Sequence, residues 1–220
     1  MKKLIWLLTV AITMSFCSTK KNNREEIKQN PNHPDCKETK LLQYDLLTKL
    51  DPGDPRSDSL MRGFKIKHAA ANLRTIHYDG FKPGYAQILT VVFTEYDHPK
   101  FDSIMAIDGR LSLPQGKRSI RMQFFGEPVS ELPAKHMTST KFSLSRRATP
   151  SSKQVAINAW NGERLCHFTV LYPTEFEGEA VIHSTQDSTA CGSIRFKGQG
   201  KYKDFKFEST FNVKLYKKEF

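Results

Sequence analysis

Recognisable chemistry is what this chain has least of. Its seven histidines are scattered, with no HExxH pair and no other metal-ligand spacing. No GxSxG turn presents a nucleophile, and no glycine-rich loop is built to cradle phosphate. Gly198-Gln199-Gly200 reads instead as a turn between two strands. These absences leave no catalytic residue, no cofactor and no metal to assign. The chain also lacks a helix–turn–helix and an RNP-type motif, so nucleic acid is not an expected partner despite the positive charge. Neither βαβ alternation nor an internal repeat is present, which argues against a parallel α/β sheet or a solenoid.

What is present points to strands. The chain has 220 residues, enough for one domain with a real core, and fifteen Phe and seven Tyr favour half-buried pleated surfaces. The formal charge is +11, to which Lys2 and Lys3 contribute two charges. A surplus of that size favours anionic surfaces by long-range attraction and says nothing about fold.

Lys2-Lys3 followed by the apolar run Leu4 to Ile12 has the form of a secretory signal, and the run is too short to span a bilayer. The segment Thr13-Met14-Ser15-Phe16-Cys17, followed by Ser18-Thr19-Lys20-Lys21-Asn22-Asn23, resembles the lipobox of bacterial lipoproteins. Met14 stands where that pattern has Leu, and Phe16 where it has a small residue. The resemblance covers only this leader region and implies that Cys17 becomes the lipidated first residue of an envelope protein anchored in a membrane. Cleavage by an ordinary signal peptidase, for instance after Ser15, would instead release a periplasmic or secreted protein. The expected organisation is a signal peptide over 1–16 and a polar, basic tether over 17–33. A short helix with a Pro/Gly loop follows over 34–62, and a β-domain over 63–220.

Asp35 and Glu38 have capping-box spacing, and Leu41, Leu42, Leu46 and Leu47 recur at helical intervals, so the spacing predicts a helix from Cys36 to Leu50. Asp51-Pro52-Gly53-Asp54-Pro55 ends it. Asp51, Asp54 and Asp58 match no calcium loop and read as a solvated turn. Strands are expected at Phe64–His68, Tyr85–Tyr96, Arg118–Phe125, Met137–Arg146, Gly178–Ser184 and Phe205–Leu215, and on both sides of Asp108-Gly109, from Ile104 to Ile107 and from Arg110 to Leu113. Asn161-Gly162 predicts a two-residue hairpin turn pairing Trp160 with Glu163 and Ile157 with Cys166. Val155, Ile157 and Ala159 then face a core, while Asn158, Trp160 and His167 face outward. With nine or ten strands, an antiparallel β-sandwich with one short N-terminal helix is the expected fold, and a β-barrel the alternative.

An exported chain is free to form disulfides. With Cys17 lipidated, Cys36, Cys166 and Cys191 remain. Cys166 falls on the core face and Cys191 points away from Ile194 and Phe196, so Cys36 to Cys191 is the favoured bond, with Cys166 to Cys191 second.

Candidate contacts follow from the outward positions. Trp160 and His167 would share the outer hairpin face, and Arg195, Lys197, Lys206 and Lys214 would give the C-terminal hairpin a basic stripe. The expected function is a non-enzymatic binding or interaction module of the bacterial envelope, its partner an anionic glycan, a lipid headgroup or a protein. Glu175, Glu177 and Glu179 alternate on one strand face, which is the feature behind the alternative of a glycan-cleaving enzyme. A lipocalin-like carrier would need a closed barrel with room inside it.

Overall fold

The computed structural model describes residues 28–44, 63–80, 83–107, 116–133, 137, 141–145, 149–150, 153–160, 165–167, 173–200 and 204–218. The leader, Cys17, the loop carrying Asp51, Asp54 and Asp58, and the Asp108-Gly109 and Asn161-Gly162 turns lie outside these residues.

Ten strands are described, in chain order β1 (Lys40–Tyr44), β2 (His68–Tyr78), β3 (Gly84–Thr94), β4 (Ser119–Phe125), β5 (Lys141–Leu144), β6 (Gln154–Trp160), β7 (Leu165–His167), β8 (Pro173–Ser184), β9 (Thr189–Gly200) and β10 (Asp204–Lys218). One α-helix, α1 (Phe101–Ile107), sits between β3 and β4. Eight strands pair in the order β10-β2-β3-β4-β6-β5-β8-β9, and β9 pairs again with β10, so the sheet closes into a barrel. β1 lies beside the first half of β10 and β7 beside the end of β6.

Closure replaces the expected sandwich with its alternative, and the reason lies in β10. Of its fifteen residues, Asp204–Lys214 pair antiparallel with β9 along one edge, while the other edge takes β1 and then β2. The β10–β2 pairing is parallel, as is β5–β6, so the sheet is not wholly antiparallel. The β10–β2 pair joins strands distant in sequence and closes the sheet, whereas β5 and β6 are consecutive.

Period-two alternation fills the barrel. Leu89, Val91 and Phe93 of β3, Ile120, Met122 and Phe124 of β4, Val155, Ile157 and Ala159 of β6, and Phe207, Phe211 and Val213 of β10 belong to one contiguous core. The Phe124 ring meets Phe142 of β5 at 5.2 Å and Phe211 of β10 at 5.8 Å, so side chains touch across the interior. A cavity large enough for a ligand would leave accessible surface on its walls. Ile120, Met122, Phe124, Ile182, Ile194 and Phe211 retain none, so at their level the interior lacks the room a carrier needs. Gly192 is part of this packing. It lies opposite Phe211 in β10 and Ile182 in β8, and a Cβ there would come within 2.3 Å of the Val181 carbonyl oxygen and 2.6 Å of the Phe211 ring.

β3 is covered on both faces, as its doubly apolar sequence predicts. α1 lies outside the barrel and buries Phe101 and Met105 against Ala70 of β2 and Val92 of β3. Its end is held by Asn72, whose Nδ2 donates to the Met105 carbonyl at 2.7 Å and so satisfies one of the acceptors a helix C-terminus leaves open.

Other expectations are corrected. The N-terminal helix is absent as far as Tyr44: a 3₁₀ turn, Pro34–Cys36, leads into β1, because the Leu41 stretch pairs with Ser209 of β10 and Cys36 is tied to β9. Residues 45–50 of that expected helix lie outside the described ones. Ile104–Ile107 is helical and not a strand: Met105 covers the outside of β2 and β3 while Ile107 is exposed. Phe64–Lys67 is a connection, and the strand begins at His68. Of the longer stretch expected as the fifth strand, Lys141–Leu144 is strand, Met137 and Ser145 are not, and 138–140 and 146 lie outside the described residues. Gly198 and Gln199 pair within β9, opposite Phe205 and Asp204, and do not form a turn. In the hairpin Trp160 lies opposite Leu165 and Ala159 opposite Cys166, a shift of two that keeps the same faces while lengthening the loop.

Candidate functional site

Residues 28–39 form a strap across the outer face of β8, β9 and β10 and lead into β1 along the edge of β10. The strap's backbone and side chains find partners on the barrel: Asn30 N–H donates to the His183 carbonyl at 2.7 Å, and Thr39 Oγ1 donates to the Asn212 carbonyl at 2.9 Å. Thr210 Oγ1 donates to the Glu38 carbonyl at 3.1 Å, and Ser209 Oγ to that of Lys40 at 2.9 Å. The Gln29 side chain bridges the Met137 carbonyl and the Thr185 N–H. A Cys36–Cys191 disulfide crosses from the 3₁₀ turn to β9, with Cα atoms 5.2 Å apart. Residues 28–33, which composition assigns to the tether, are therefore part of the folded domain.

The disulfide sets the neighbourhood of the candidate site. Ser193 and Arg195 follow Cys191 on the outer face of β9, so the residue before Cys36 is carried over them. That residue is Asp35. Its Oδ1 accepts from Arg195 Nη2 at 2.8 Å and its Oδ2 from Nη1 at 3.2 Å, a bidentate pair. Arg195 Nη1 also donates to Ser193 Oγ at 3.1 Å, and Nε lies 3.5 Å from Glu208 Oε1.

Two histidines complete the cluster. The β8–β9 register shifts between Ile182 and Ser184, which leaves His183 as the extra residue of a bulge, and bulges re-aim side chains. His183 Nε2 comes within 3.3 Å of Asp35 Oδ2 and 3.5 Å of Ser193 Oγ. His33 stacks on His183, with ring centroids 3.6 Å apart and planes at 11°. The Nδ1 of His33 accepts from the Asp35 N–H at 3.2 Å and lies 3.6 Å from Asp35 Oδ2. Side-chain exposure is 14% for Asp35, 11% for His183 and 35% for His33, so the cluster is largely enclosed and opens to water at His33.

Burial and charge set the protonation states. The Arg195 hydrogen bonds hold the Asp35 carboxyl down at about 2, against the opposing effect of burial, so it is a carboxylate at neutral pH. Asp35 in turn raises Arg195. Desolvation, and then the neighbouring His33, lowers His183, although Asp35 pulls the other way. A neutral imidazole beside a carboxylate is a metal-donor pair, and one donor atom from each of His33, Asp35 and His183 lies within 4.8 Å of the others.

Of the residues singled out from sequence, Arg195 belongs to this cluster and Cys36 and Cys191 frame it. The other cations of the basic stripe are on the barrel exterior with carboxylate partners: Lys197 with Glu177 at 2.6 Å, Lys206 with Glu208 at 3.4 Å, and Lys214 with Asp102 at 3.6 Å. Glu179 pairs with Lys141 at 3.0 Å, so the two acids of the alternating trio whose side chains are described, Glu177 and Glu179, face outward into ion pairs. Trp160 and His167 keep their backbone places in β6 and β7, opposite Leu165 and Asn158, and their side chains lie outside the described ones, as does Cys17.

Sequence reasoning missed His33, Asp35, His183 and Ser193. The usable signal was the favoured disulfide itself, which carries Asp35 over the outward positions of β9. Among the described residues no helix is long and apolar enough to cross a membrane. Comparison with known proteins finds no family model, no curated protein and no solved structure that matches this chain.

Proposed function

We propose that the chain is an exported, lipid-anchored domain of the bacterial cell envelope that works by binding through its outer surface. The observation that carries this reading is the Cys36–Cys191 disulfide, which fastens the N-terminal segment to the barrel wall. Such bonds persist in oxidising compartments outside the cytoplasm, in keeping with the leader. Cys17, the lipidation candidate, lies on that same segment ahead of the strap. Fully extended, the residues from Cys17 to Asn30 reach at most about 45 Å, so an acylated chain would hold the β8–β10 face near the membrane. Several acyl chains, as lipoproteins of this class carry, would hold it firmly.

The packed interior turns attention to the exterior. Exposed Lys197, Lys206 and Lys214 are paired with local carboxylates, and an anionic glycan, lipid headgroup or protein partner would bind by displacing them. The test has two arms. Metabolic labelling with a palmitate analogue should mark the native chain and leave Cys17→Ala unlabelled; labelling of neither would overturn the anchor. Screening the domain against glycans, anionic vesicles and envelope proteins should yield a partner retained at about 0.15 M salt, where screening of exposed charges is already substantial. Signals that all vanish at that salt would overturn specific recognition.

A further inference from the structure

We propose that His33 Nδ1, Asp35 Oδ2 and His183 Nε2 form a binding site for a divalent transition-metal ion of the zinc type, joining the strap to β8. This site does not depend on the anchor reading and would stand if Cys17 were never acylated.

The spacing fits. Bonds of about 2.0–2.1 Å in tetrahedral geometry place neighbouring donors about 3.3 Å apart. Asp35 Oδ2 lies 3.3 Å from His183 Nε2 and 3.6 Å from His33 Nδ1. Two imidazoles and one carboxylate suit zinc and similar ions, whereas calcium and magnesium prefer oxygen donors. The carboxylate is already oriented by a neighbour: Oδ1 takes the shorter Arg195 bond, at 2.8 Å, which leaves Oδ2 the oxygen to offer. Glu208 stands beside Arg195 and offsets its charge. Water has access at His33 for a fourth position.

Binding requires movement of known parts. The two nearly parallel ring planes do not meet at the site, so one ion cannot lie in both until the imidazoles tilt. The ion would replace the hydrogen bond from the Asp35 N–H to His33 and the longer bond from Arg195 to Oδ2.

The test is calorimetric titration of ZnCl₂ into the metal-stripped full chain, with its disulfide intact and remaining thiols alkylated. Native protein should take up one ion at this site, and His33→Ala and His183→Ala should each weaken its binding at least about tenfold. His77→Ala, on β2, should leave it unchanged. His33→Phe keeps a ring to stack on His183 without a donor, so it separates loss of a ligand from loss of fold. Zn²⁺ should raise the melting temperature of the native chain and not that of His33→Phe. Absence of uptake by native protein, or the same uptake and the same thermal shift in His33→Phe, would overturn the assignment.

Discussion

Replacing Asp35 by Asn removes one negative charge at almost constant volume, and so isolates what the strap gains from ion pairing. In the folded protein the Asp35 carboxyl is held at about 2, against an ordinary value of 3.8. At about 1.4 kcal/mol per tenfold change, that difference makes the carboxylate worth about 2 kcal/mol to the fold. It is an upper value, because Arg195 is half exposed and salt screens its share. The sign follows from proton binding. Between the two pKa values the unfolded chain holds the proton more tightly, so stability increases with pH through that window. The contribution is complete above about pH 4 and is lost as the pH falls to about 2. Urea unfolding at pH 7, 4 and 2, with the disulfide intact, should show Asp35→Asn less stable by up to about 2 kcal/mol at neutral pH. The gap should close at the acid end. Arg195→Gln should cost little more in the Asp35→Asn background than that change alone. Equal stability at pH 7, or parallel pH profiles, would refute the assignment of Asp35 as the fastening charge.

Other expectations follow from the same structure. Cys36→Ser opens a bond across a sequence separation of 155, for which the chain-entropy estimate reaches about 5 kcal/mol, so the melting temperature should fall and reductant should no longer affect it. An unchanged melting temperature would count against the bond as a strap. Gly192→Ala should destabilise by about 1–3 kcal/mol in urea unfolding, because the Cβ would press on the Val181 carbonyl and the Phe211 ring; a neutral result would contradict the close packing there. Phe124→Ala should cost about 3–5 kcal/mol, since its ring contacts both Phe142 and Phe211, and a cost under about 1 kcal/mol would indicate a looser interior.

Faces were legible in the sequence where alternation is strict. Val155, Ile157 and Ala159 point inward, and Leu89, Val91 and Phe93 line the core even though Ile88 and Val92 blur the pattern. Closure was not legible, because it rests on parallel pairing between Lys214–Lys218 and Ala70–Arg74, and parity does not report which strands meet. β2 itself escaped notice: Ala69-Ala70-Ala71 favours helix, and small side chains there make room for Phe101 and Met105 of α1. Leucine spacing suggested a helix over Cys36–Leu50, whereas Cys36 lies in a 3₁₀ turn tied to Cys191 and pairing with β10 makes Lys40–Tyr44 a strand. The His33, Asp35 and His183 cluster needs that strap and the β8 bulge together, and neither leaves a local mark in the sequence.

Mass spectrometry of the non-reduced protein, isolated from bacterial membranes and digested, tests the strapped and anchored domain most directly. The account predicts a disulfide-linked pair of peptides carrying Cys36 and Cys191, with a lipid mass on an N-terminal Cys17. Free thiols at Cys36 and Cys191, with an intact unlipidated leader, would contradict it.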